Sequence, residues 1–127
     1  GNMSTITLLY GTEFMPQIKD QIILFAEDDS ETPPQHFDRY LQAFLHQPIA
    51  KQLAAIVFGR FQKESAMTSS LLKQIVESKK ELKNIPMITG VDFGHTTPLL
   101  TFPIGGKAKL NASSSKIEIR IHDHLFL

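Results

Sequence analysis

The chain has 127 residues, 42% apolar and 20% charged, a composition that fits one folded domain with a sizeable core and excludes a disordered chain. Thirteen basic residues balance thirteen acidic ones and neither sign gathers into a run, so the field that draws nucleic acid or an anionic membrane is missing. No apolar stretch reaches the roughly 20 residues of a membrane helix, and the absence of cysteine excludes disulfides, thiol nucleophiles and zinc-thiolate sites.

Residues 2–10 fit either a strand or a short helix capped by Ser4 or Thr5, and Gly11-Thr12 ends them. Residues 21–26, Gln-Ile-Ile-Leu-Phe-Ala, predict a strand buried on both faces that is followed by the short polar loop Glu27-Asp28-Asp29-Ser30-Glu31. Phe37, Leu41, Phe44 and Leu45 recur at helical spacing after Thr32-Pro33-Pro34, and Pro48 stops that helix. Residues 53–59, Leu-Ala-Ala-Ile-Val-Phe-Gly, predict a second buried strand. A second amphipathic helix follows, with Ser69 as its cap, Leu71, Leu72, Ile75, Val76 and Leu82 along it, and Lys79, Lys80 and Lys83 in its last turns where cations favour the dipole.

Residues 86–106 concentrate the unusual choices. An apolar run ends in Asp92-Phe93-Gly94-His95, and a second ends in Pro103-Ile104-Gly105-Gly106, which reads as strand, tight turn, strand, with Gly90 and Gly94 letting backbone approach closely. Gly105-Gly106 reads as a hairpin turn rather than a phosphate cradle, because no helix start follows it. Residues 107–110 and 116–121 then predict a hairpin, Ile117, Ile119 and Ile121 alternating with Glu118 and Arg120. The expected architecture is a single mixed α/β domain over residues 1–127, with helices covering one side of the β structure.

Glu27 and His95 each fall just beyond the carboxyl end of a predicted buried strand, where catalytic groups gather in open α/β sheets. If the two strands lie side by side, a carboxylate meets an imidazole, the arrangement that orients a general base. Asp28, Asp29, Glu31 and Asp92 could replace Glu27 on this evidence, and a capped or salt-bridged structural pair is the plainer alternative. No serine stands in a Gly-x-Ser-x-Gly elbow, so a nucleophile must come from elsewhere. His122-Asp123-His124 could hold a metal on one strand face but lacks a third ligand, and His36 and His46 read as surface or helix-end residues.

The blocks Leu8-Leu9-Tyr10-Gly11-Thr12, Ile23-Leu24-Phe25-Ala26-Glu27-Asp28, Asp38-Arg39-Tyr40-Leu41, Phe58-Gly59-Arg60-Phe61, Gly90-Val91-Asp92-Phe93-Gly94-His95-Thr96 and Leu100-Thr101-Phe102-Pro103-Ile104-Gly105 occur in that order. Together they resemble the C-terminal domain of the serine carboxypeptidases that include murein LD-carboxypeptidase and the microcin C immunity carboxypeptidase. The resemblance implies a swivelling β/β/α domain of a two-domain, cytoplasmic, commonly homodimeric enzyme with a Ser-Glu-His triad. It implies Glu27 as the carboxylate that orients the base, His95 as the base, and Asn2 and Ser4 at the border of the substrate cleft. It implies no metal and no cofactor. Ala26 departs from the larger aliphatic residue usual in the family.

The serine-bearing N-terminal domain is not in this chain, which begins Gly1-Asn2-Met3 and so reads as a piece of a longer protein. The piece alone is expected to hydrolyse nothing, and its own N-terminal domain is its expected partner. The opening and Gly11-Thr12-Glu13-Phe14-Met15-Pro16 look closer to the microcin immunity branch, whose members cut peptidyl or aminoacyl nucleotides, than to the murein enzymes that remove a terminal D-alanine. The competing readings are the murein activity itself, a non-catalytic binding or assembly domain with the same fold, and metal binding through His122 and His124.

Overall fold

The structure, a computed structural model, describes residues 1–122. Three strands, β1 (Ile22–Ala26), β2 (Leu53–Gly59) and β3 (Met87–Val91), form a parallel sheet in the order β1-β2-β3. Helix α2 (Pro34–Leu45) connects the first two and α3 (Ser69–Glu77) the last two, while the short α1 (Met3–Ile6) precedes them. Because the strand order advances steadily and such crossovers are right-handed, both connecting helices fall on one face of the sheet. The expected α/β architecture with helices on one side is therefore what the chain adopts.

The central strand explains its own composition. β2 is paired on both edges, and Ile56, Val57 and Phe58 are fully buried, Ile56 and Phe58 on the face that the helices cover. Leu24, Ala26, Ile56 and Phe58 pack with Phe37, Leu41 and Phe44 of α2 and Leu72 of α3, and Met3 of α1 closes the same core. Phe37 meets Phe58 at 6.3 Å and Phe61 edge-on at 4.9 Å between ring centroids. Ala26 is wholly inside this core.

Several local expectations are corrected. The first helix is capped by Asn2, whose Oδ1 accepts from Thr5 N–H at 2.8 Å, and not by Ser4 or Thr5. α3 is capped by Thr68, whose hydroxyl accepts from Leu71 N–H, one residue before the expected Ser69. That helix ends at Glu77, and Leu82 belongs to a separate 3-10 turn, Lys80–Leu82. Lys79 does not serve a helix dipole: it is buried and forms an ion pair with Asp38, tying the connection after α3 to α2.

The second strand expected after His95 does not form, and residues 92–106 run as bends and turns instead. Gly105-Gly106 consequently leads into a strand rather than joining two. That strand, β4 (Lys107–Ala112), pairs antiparallel with β5 (Ile117–His122) as a separate two-stranded sheet, the hairpin predicted. No residue of β4 or β5 is buried. Among the described residues no helix is long and apolar enough to cross a membrane.

Candidate active site

Glu27 follows the last residue of β1, and its main chain is held by the segment that opens the chain. Its N–H donates to Gly1 O at 3.2 Å, and its carbonyl accepts from Met3 N–H at 2.9 Å, so residues 1–3 extend the sheet by a single parallel bridge beside β1. The carboxylate is almost wholly buried, yet Oε2 lies 2.7 Å from Nδ1 of His95, whose ring is about half exposed (46%). The two residues singled out in the sequence thus meet across 68 positions of chain.

They meet for a reason that strand patterns do not reveal. β1 and β3 do not lie side by side; β2 runs between them, and the gap is bridged because β2 ends in Gly59. A Cβ there would stand 2.8 Å from Phe93 O and 3.1 Å from Glu27 Cβ, so only glycine lets the turn after β3 reach over to Glu27. Gly94 is the second requirement: its φ is +92°, and a Cβ would fall 2.4 Å from Glu27 Oε2. Gly90, by contrast, has nothing within 4 Å of the corresponding position, and only its φ of +76° calls for glycine.

The turn carrying His95 is fastened at both ends. Arg60, the residue after β2, places Nε 2.9 Å from Asp92 Oδ1 and donates from Nη2 to Pro98 O at 2.7 Å, while Leu100 N–H donates to Asp92 O at 2.7 Å. Beneath it Phe25 of β1, Phe93 and Phe102 form a three-ring cluster with centroids 4.7–5.8 Å apart. Phe102 comes from the second apolar run, which serves as packing against β1 rather than as a strand.

A carboxylate can only accept, so Nδ1 of His95 carries a proton toward Glu27 and the lone pair of the neutral ring falls on Nε2. Among the described residues Nε2 has no hydrogen-bond partner, and no hydroxyl hydrogen bonds to His95. The Glu27 hydrogen bond holds the imidazole above its ordinary 6.5, with the charges of Glu27, Asp29 and Asp28 adding to it against a smaller opposing effect of desolvation.

Of the alternative acids, Asp28, Asp29 and Asp92 are committed elsewhere, and Glu31 is exposed. Asp28 is fully buried; its Oδ2 accepts from Ser4 N–H at 2.9 Å, and its Oδ1 lies within reach of the Ser4 and Thr32 hydroxyls at 2.8 and 3.0 Å and of Asp29 N–H. Asp92 belongs to Arg60, and Asp29 accepts from Glu31 N–H. Asn2 and Ser4 lie beside Glu27, their side chains joined at 2.6 Å in the same cap network. Among the described residues no three metal-ligating side chains cluster, and positions 123 and 124 of the expected His122-Asp123-His124 set lie outside them. His46 caps α2 next to Gln42, and His36 lies beside Tyr40, as surface and helix-end residues do. A groove of about 630 Å³ between α3 and the ends of β2 and β3 includes neither Glu27 nor His95.

The chain is similar along nearly its whole length to known proteins. An MccF-like protein of Bacillus anthracis superposes with a TM-score of 0.85 at 46% identity, over 94% of this chain and 37% of its own. A muramoyltetrapeptide carboxypeptidase of Oxalobacter formigenes superposes with a TM-score of 0.78 at 31% identity, over 98% of this chain and 44% of its own. The microcin C7 self-immunity protein MccF of Escherichia coli is 28% identical over 94% of this chain and 35% of its own length, and a structure of MccF in complex with glutamyl sulfamoyl guanosine superposes with a TM-score of 0.75. The chain spans rather more than a third of the length of the curated relatives it matches. The family of LD-carboxypeptidase C-terminal domains matches residues 1–110, and the chain belongs to that family.

Proposed function

We propose that this chain is the base-bearing part of a serine carboxypeptidase, with Glu27 orienting His95 and a serine supplied by a further domain of the same protein. The observation that carries the reading is the 2.7 Å contact between a buried carboxylate and Nδ1 of a half-exposed imidazole, with no hydroxyl bonded to that ring among the described residues. Nε2 takes the proton of the incoming serine hydroxyl as its oxygen attacks the scissile carbonyl carbon. The same nitrogen returns the proton to the departing amine, and a water repeats the cycle to release the acyl group as a carboxylic acid. Asn2 and Ser4, fixed beside Glu27 by Asp28, border the cleft in which substrate lies.

The favoured substrate is the amide of a peptidyl or aminoacyl nucleotide, which the greater similarity to the MccF-like Bacillus anthracis protein supports. The similarity to a muramoyltetrapeptide carboxypeptidase supports a second reading, removal of the terminal residue of a murein tetrapeptide. The full protein, offered an aminoacyl sulfamoyl nucleotide and a murein tetrapeptide separately, should hydrolyse the first faster, and the 127-residue chain alone should hydrolyse neither. Faster cleavage of the tetrapeptide selects the second reading. Hydrolysis of neither by the full protein leaves a binding domain.

A further inference from the structure

Arg60 stands outside the Glu27–His95 pair yet holds the loop that delivers the imidazole. Its guanidinium reaches both ends of that loop at once, the Asp92 side chain before His95 and the Pro98 carbonyl after it. Arg60 is itself anchored, because its N–H donates to Val91 O at 3.2 Å, at the point where β3 gives way to the loop. The planar guanidinium presents Nε toward Asp92 and Nη2 to Pro98 O from fixed positions, whereas a lysine ammonium gathers its donors at one point on a flexible stem. The ion pair is also half exposed, with the two side chains 35% and 46% accessible, so it adds little to global stability and its consequence is geometric.

We infer that Arg60 is a positioning residue for the base: by clamping Asp92 and Pro98 it fixes the His95 ring at hydrogen-bonding distance from Glu27. This rests on the reading of His95 as the base in its kinetic consequence, and on geometry alone in its effect on the ring. Loosening the loop lets Nδ1 drift from Oε2, and a base displaced by an ångström loses rate rather than substrate affinity.

The sign of one measurement separates this role from a plain charge effect. Removing a nearby cation by itself raises the pKa of an imidazole, whereas breaking the hydrogen bond to Glu27 lowers it, since that bond is the main cause of its elevation. The groups that bear on the ring are Glu27, Asp28 and Asp29, and none of them is altered by changing residue 60.

The test uses the full protein, with Arg60→Ala and Arg60→Lys, and follows kcat, KM, thermal midpoint and the His95 titration by NMR of ring-labelled histidine. Arg60→Ala should lower kcat about 10- to 100-fold with KM and thermal midpoint little changed, and should move the His95 titration down toward 6.5. Added guanidinium should restore part of the lost rate, and Arg60→Lys should fall between. An unchanged or raised His95 titration in Arg60→Ala overturns the inference, as does a rate loss matched by a loss of thermal stability. Should Arg60→Ala not fold, Arg60→Lys, which keeps the charge, carries the same prediction of a lowered titration. If His95→Ala leaves hydrolysis intact, the carboxypeptidase reading fails, and the clamp is judged by the titration alone.

Discussion

The Glu27 carboxylate is almost wholly buried and the ring it meets is half open, and in the proposed reading this asymmetry divides the work between them. A buried anion stays in place and accepts one proton from Nδ1; the exposed side of the ring is left to exchange protons with whatever enters. Because Glu27 holds His95 above 6.5, the ring becomes neutral, and so competent as a base, only as pH rises through that raised value. The rate kcat/KM should therefore fall on the acid side with a midpoint above 6.5. Glu27→Gln keeps an acceptor but removes the charge, so it should shift that limb to lower pH while reducing the plateau. A midpoint that does not move between the two proteins would separate the acid limb from this contact.

At the level of elements, the periodicities carry most of the fold, and the misses share one physical cause. The buried strands at 22–26 and 53–59, the helix through Phe37, Leu41, Phe44 and Leu45, and the terminal hairpin are legible because their apolar spacing is set by what each buries. What spacing does not carry is who neighbours whom. That β2 separates β1 from β3, and that Gly59 must be bare for Glu27 and His95 to meet over it, depends on strand order alone. The second apolar run after His95 looks like a strand because Phe102 and its neighbours are apolar, but the ring is there to pack on Phe25 and Phe93. Ser69 stands one place from the true cap because both it and Thr68 are capping types, and only geometry chooses Thr68. Thr68→Ala should accordingly cost about 1 kcal/mol of unfolding free energy in denaturant titration, and Ser69→Ala far less. The reverse order would contradict the assignment.

On the scale of the whole molecule, two right-handed βαβ units bury one face of a small parallel sheet and lift the carboxyl ends of its strands clear of the core. Everything chemically notable gathers at those ends: Glu27 after β1, Gly59 and Arg60 at β2, His95 after β3. A chain that spans rather more than a third of its relatives thus presents an oriented imidazole, and the proposed serine domain completes it. The most direct test is kcat/KM for amide hydrolysis by the full protein, measured at its plateau pH, before and after His95→Ala. The account predicts a loss on the order of a million-fold with folding retained, and a rate within a few-fold of the unaltered protein would contradict it.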